Sequence, residues 1–111
     1  LIEKVKKAFN SPITRCSAFD EKLMIKKVAM CSGSGSSFIR DAIATGAQVF
    51  ITSDTRYHDF IDYANDILIV DIGHYESEQC TKDIFYHVIT EKFPNFAVYY
   101  SDKEQNPINY L

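Results

Sequence analysis

The segment that most constrains this chain is the apolar run Ile67-Leu68-Ile69-Val70-Asp71-Ile72. It is short and rich in β-branched side chains, so it reads as a strand buried on both faces. Such a strand needs helices above and below it, which places the chain among layered α/β folds. Directly after it stands Gly73-His74-Tyr75-Glu76-Ser77-Glu78. A helix beginning near His74 puts His74 and Glu78 four positions apart on one face. An imidazole and a carboxylate so placed can be two metal ligands, and the pair suits zinc, manganese or iron. The competing reading has Glu76 and Glu78 complement the helix dipole while His74 ends a loop. Two ligands do not hold a metal tightly, because zinc sites use three or four.

Other segments extend the pattern. Ile2, Val5 and Phe9 recur at helical spacing, and the helix stops at Asn10-Ser11-Pro12. Ile13 to Phe19 and Met24 to Cys31 read as strands joined at Asp20-Glu21-Lys22, a hairpin. The small-residue loop from Ser32 to Ser37 precedes a helix marked by Phe38, Ile39, Ala42 and Ile43, which Gly46 ends. Ala47 to Thr52 reads as a strand, Ser53 to Tyr57 as a loop, and His58 to Tyr63 as a short helix. After the run from Ile67 to Ile72, one long helix carries a core stripe of Cys80, Ile84 and Val88 with Phe85, Ile89 and Phe93. Pro94 stops it, and Phe96 to Tyr100 reads as a last strand before a polar tail. The alternation predicts right-handed crossovers and a mixed, largely parallel sheet covered by helices.

At 111 residues the chain reads as a single α/β domain, 1–111. It starts in mid-helix at Leu1, which reads as a piece of a longer protein, some of whose apolar surface has either lost a partner or still seeks one. A net charge of −3 argues against a nucleic-acid binder, which shows a basic patch or stripe. No apolar stretch is long enough for a bilayer, and no secretory pattern opens the chain. Three cysteines at irregular spacing form no disulfide framework, which points to a reducing cytoplasm. Eight phenylalanines and seven tyrosines, with no tryptophan, are a heavy aromatic load for so small a core.

In open α/β sheets ligands bind outside the carboxyl ends of the strands. Three loops meet that edge: Cys31 to Ser37, Ser53 to Asp59, and Gly73 to Glu78. In the second, Asp54 and His58 are candidates for proton transfer or for orienting a ligand. Equally, Ser53 or Asp54 could cap the short helix. In the first, Gly33, Ser34, Gly35 and Ser36 present backbone N–H groups to an anion, with Cys31 facing them. Phe38 stands where a dinucleotide fingerprint wants a third small residue, which argues against that cofactor. Cys31 reads either as a nucleophile lacking a visible base or as a structural thiol. His87 reads as a surface residue without a role.

These motifs together resemble the carboxyl-terminal part of the dinuclear-metal-centre family, also called interacting-factor-3-like proteins or GTP cyclohydrolase 1 type 2 homologues. The resemblance runs from about Arg15 to Leu111. It rests on Lys27 to Ser36, on Phe50-Ile51-Thr52-Ser53-Asp54 with Tyr57-His58-Asp59, on Gly73 to Glu78, and on Asn106 to Leu111. It implies that His74 and Glu78 are ligands in a cluster of two divalent metal ions per intact chain. It also places Asp54, His58 and the loop from Cys31 to Ser36 around that cavity. It implies a homo-oligomer, a toroidal hexamer with the metal sites facing inward. The family's remaining ligands, a His-His pair and an Asp, lie in an amino-terminal half that has no counterpart here. Ser32 and Ser53 also stand where glycine is commoner.

The function expected from the resemblance is metal-dependent hydrolysis of a nucleotide, cyclic amide or phosphate compound. The alternatives are a non-catalytic metal-containing interaction module, favoured by the aromatic load, and a nucleotide- or anion-binding domain.

Overall fold

The computed structural model describes residues 1–18 and 20–111. Four strands form one sheet: β1 (Arg15–Cys16), β2 (Val28–Ser34), β3 (Val49–Ser53) and β4 (Leu68–Asp71), in the order β1-β4-β3-β2. The last three run parallel, and β1 is antiparallel to β4, so the sheet is mixed and largely parallel as expected. The helices are α1 (Ile2–Phe9), α2 (Ile39–Ala44), α3 (Tyr57–Asp62), α4 (His74–Glu78) and α5 (Thr81–Lys92). A single 3-10 turn, Ser36–Phe38, leads into α2.

Every residue of β3 and β4 is buried, which accounts for their unbroken apolar character. Their side chains divide between two clusters with the period of two that a strand imposes. Val49, Ile51, Leu68, Val70 and Ile72 pack with Val5 of α1 on one face. Phe50, Ile67 and Ile69 pack with Ile39 and Ala42 of α2 on the other, where Phe60 and Tyr63 join them.

Three expectations are corrected. The first is the hairpin: β1 and β2 occupy opposite edges of the sheet, so the two segments do not pair. Ser17 explains the choice, because it exchanges bonds with the backbone of Ile69 on β4. The strand expected over Ile13 to Phe19 shortens to Arg15–Cys16, and Phe19 lies outside the described residues. Met24 to Cys31 likewise begins its pairing only at Val28, and the strand runs on through Ser34, absorbing part of the expected loop.

The second concerns the long helix, which divides at Gln79 and Cys80 into α4 and α5. Its expected core stripe is outside the core: Ile84, Phe85, Val88, Ile89 and Phe93 are all exposed. Helical periodicity registers an apolar face but not whether anything covers it. The third concerns Phe96 to Tyr100, which is not a strand. Phe96 stacks on Phe93, with ring centroids 5.4 Å apart, and Tyr100 stacks on Tyr86 at 4.8 Å. This segment stacks along α5 and forms no ladder with the described strands.

Candidate metal centre

The parallel strands β2, β3 and β4 end at a common edge, and the polar loops that follow them meet there. At the end of β4, Gly73 takes a φ of +90° and turns the chain into α4. His74 and Glu78 then share a helix face, with Nε2 of His74 3.2 Å from Oε2 of Glu78. Asp54, just past β3, adopts a left-handed φ of +56°, a conformation Asp tolerates better than most residues. Its carboxylate accepts a 2.6 Å bond from Nδ1 of His74. Both ring nitrogens of His74 therefore face carboxylates. The bond to Asp54 holds the imidazole above its ordinary pKa; partial burial opposes this, and the Asp54 and Glu78 charges reinforce it.

Gly33 completes the arrangement from β2. At φ +64° its backbone passes so close that a β-carbon would lie 2.4 Å from Oε1 of Glu78 and 3.5 Å from Nε2 of His74. The Gly33 N–H donates to Oγ of Ser77 at 2.7 Å, and Ser77 donates to the His74 carbonyl at 2.8 Å. The Gly33 carbonyl accepts from Ser53, so both backbone groups of this glycine are used in docking α4 and β3.

Beneath this layer lie two buried carboxylates. Asp71 accepts from the Thr55 N–H at 2.9 Å, from the Thr55 hydroxyl and from Arg15. Glu76 is 3% exposed and accepts from Nδ2 of Asn106 at 2.8 Å, with the Tyr110 hydroxyl at 3.5 Å. Burial, with Glu76 beside it, pushes the Tyr110 phenol up.

The remaining residues singled out from sequence are spread along the edge. His58 is exposed on α3, edge-on to Tyr57, and among the described residues it makes no hydrogen bond to the His74 group. The N-cap of α3 is Arg56, whose N–H donates back to the Asp59 carboxylate at 2.8 Å, so neither Ser53 nor Asp54 serves there. Cys31 packs against the cluster around Phe50, and its Sγ lies 3.2 Å from where a Gly35 β-carbon would stand. Ser34 is paired with Ser53 in the sheet, and Gly35 accepts the N–H of Phe38 through its carbonyl. Cys16, Cys31 and Cys80 are free thiols.

The sequence profile of the family described as Duf34/NIF3 (NGG1p interacting factor 3) matches residues 1–107. The chain belongs to the Duf34/NIF3 family. A protein of Staphylococcus epidermidis named GTP cyclohydrolase 1 type 2 homolog is 34% identical over 113 residues, covering 97% of this chain and 30% of that protein. Its namesake in Streptococcus pneumoniae is 42% identical over 79 residues, 68% of this chain and again 30% of the relative. The chain thus spans about a third of the length of these curated relatives. Among solved structures, a Staphylococcus aureus protein superposes with a TM-score of 0.81 at 26% identity, over 99% of this chain and 37% of that one. A Bacillus cereus protein related to NIF3 superposes at 0.76 and 26% identity, over 99% and 31%.

Within this Duf34/NIF3 chain, sequence reasoning paired His74 with Glu78 but did not pair His74 with Asp54. It also missed the bonds of Ser77 and the tail contacts of Glu76. Asn106 and Tyr110 were visible as part of a motif, but no periodicity links them to Glu76, which lies 30 and 34 positions away. Among the described residues, no helix is long and apolar enough to cross a membrane.

Proposed function

We propose that this chain supplies part of a two-metal centre in a metal-dependent hydrolase acting on a nucleotide, cyclic amide or phosphate compound. The observation that carries the reading is the convergence of His74 Nε2 and Glu78 on the space beside Gly33, with Asp54 fixing the opposite ring nitrogen. A carboxylate on the far nitrogen of a histidine is the usual support for an imidazole ligand. The absence of a β-carbon at residue 33 leaves room for the Glu78 carboxylate beside Nε2 of His74. The donor set therefore fits a divalent cation of the zinc, manganese or iron type. Among the described residues, no set of three or more His, Cys, Asp or Glu side chains is disposed to hold an ion. In this proposal the other ligands come from the part of the family fold that the resemblance assigns to an amino-terminal half.

Such cations supply, when bound, an acidified water and a clamp for a phosphate or carbonyl oxygen. The chain's own residues do the positioning. Asp54 would keep the proton on Nδ1 and leave Nε2 of His74 to hold a cation. Ser77 ties the first turn of α4 to Gly33, so that His74 and Glu78 keep their separation. His58, exposed at the same edge, is assigned to proton exchange with solvent. Assembly into a homo-oligomer belongs to the same proposal, supported by the uncovered apolar face of α5.

Elemental analysis of the intact protein tests the reading. Wild type is expected to hold two metal ions per chain and His74→Ala at most one. Unchanged metal content in His74→Ala would sink the ligand assignment. Turnover of a panel of nucleotides, cyclic amides and phosphate esters then separates an enzyme from a metal-containing interaction module.

A further inference from the structure

The helix that carries His74 and Glu78 buries no apolar residue: the buried residues of α4 are Glu76 and Ser77, both polar. A helix of this length does not persist alone, and hydrophobic burial is non-directional in any case. Directional bonds to distant parts of the chain therefore set how α4 lies.

Three such bonds leave α4 and the turn after it. Ser77 meets the Gly33 N–H of β2 at 2.7 Å. Nε2 of Gln79 donates to the Phe9 carbonyl at the end of α1 at 2.8 Å. Glu76 takes the third from a carboxyl-terminal strap, Glu104 to Tyr110, which has no regular secondary structure. Nδ2 of Asn106 donates to its Oε1 at 2.8 Å, and the Tyr110 hydroxyl stands 3.5 Å from Oε2. The Asn106 amide is itself held, because its Oδ1 accepts the Ile108 N–H at 3.0 Å. Gly73 keeps the contact open: a β-carbon there would collide with Oε2 of Glu76 and stand 3.1 Å from the Tyr110 hydroxyl oxygen.

The three tethers are unequal. Ser77 and Gln79 make neutral bonds, whereas the strap serves a carboxylate, and charge-assisted bonds are the stronger kind. Glu76 is 3% exposed, and among the described residues its side-chain donors all belong to the strap. With the strap lifted, a buried carboxylate would lack a donor, so Glu76 would turn out to water and take α4 with it.

Resting on the metal-centre reading only for the roles of His74 and Glu78, we infer that the carboxyl-terminal strap positions that pair. Asn106 and Tyr110, docked on Glu76, fix α4 so that His74 meets Asp54 and Glu78 lies against Gly33. Glu76, Asn106 and Tyr110 are positioning residues that act through the helix.

Amide hydrogen exchange and metal titration of the intact protein test this, with zinc and manganese as the probes. Asn106→Asp removes the donor and sets a second carboxylate against Glu76. Adding Glu76→Gln restores the bond with the roles exchanged, the amide at 76 donating to residue 106 and accepting from Tyr110. The Ser77 and Gln79 amides, bonded to the Gly73 and Tyr75 carbonyls, report on α4 itself. They should exchange about tenfold faster in Asn106→Asp while β3 amides keep their wild-type rates, and the double variant should return to within about threefold of wild type. Asn106→Ala, which removes the donor without altering charge, should bind the cations about tenfold more weakly than wild type. It also takes over the exchange comparison should Asn106→Asp fail to fold. Unchanged exchange in α4, equal acceleration in α4 and β3, no recovery in the double variant, or wild-type cation affinity in Asn106→Ala each overturns the inference. Binding of neither cation to wild type overturns the metal-centre reading instead, and the exchange rates still decide whether the strap holds α4.

Discussion

Gly33 and His74 set the properties of the site at the scale of single residues. Gly33→Ala forces a β-carbon into the left-handed region, which costs roughly 1–2 kcal/mol, and pushes the Glu78 carboxylate aside. Urea denaturation should show that loss of stability, and metal affinity should fall with it. His74 gives a pH signature. Its folded pKa is raised above the unfolded value of about 6.5 by Asp54, so protonated His74 favours the folded metal-free chain. That contribution is complete below about pH 6.5 and is lost as pH rises through the folded value. Metal binding runs the opposite way, because coordination needs a neutral ring, so affinity should climb across the same window. Proton competition therefore persists to a higher pH than an unperturbed histidine predicts. An NMR titration of the His74 ring in metal-free protein checks this, and a midpoint at or below 6.5 would contradict the bond to Asp54. The spacing of His74 and Glu78 was legible because a helix repeats locally. The partnership with Asp54, 20 positions away, was not, because sheet order creates it.

At the scale of elements, α4 is only five residues long, too short to persist without tertiary support. Ser77 provides much of that support by accepting the buried N–H of Gly33. Ser77→Ala leaves this donor without a partner and should cost about 1–3 kcal/mol. Hydrogen exchange at α4 should accelerate in the variant more than exchange at β3; uniform acceleration would mean that Ser77 acts on global stability instead. The parallel strands and the helices between them were readable from apolar runs and turn residues, since burial on two faces leaves an unbroken run. The hairpin was misread because β1 and β2 each look like edge strands, and pattern alone does not say which neighbour an edge strand joins. Phe96 to Tyr100 carries strand-like composition, but composition does not supply a partner.

At the scale of the whole molecule, the radius of gyration is 16.3 Å, against about 13 Å for a compact chain of this length. The excess reflects a shape extending over 52 Å, with the apolar face of α5 uncovered. Apolar patches of this kind mark interaction surfaces or association hazards. The 111-residue chain alone should therefore self-associate at micromolar concentration in sedimentation experiments. Replacing Val88 and Ile89 with lysine should return it to monomers, with little effect on stability because both are exposed. A monomer in wild type would show that the face tolerates water.

By itself the sequence determined what acts over a few neighbouring residues: the buried β-branched runs and the helix that aligns His74 with Glu78. It carried the family motifs as well. Tertiary structure decided which distant segments meet: Asp54 with His74, Ser77 with Gly33, and the carboxyl-terminal strap with Glu76. It also decided that the apolar stripe of α5 lies outside the core. The physical reason is that backbone periodicity is written residue by residue. Pairing between elements depends on strand order and on which surfaces are left to be covered.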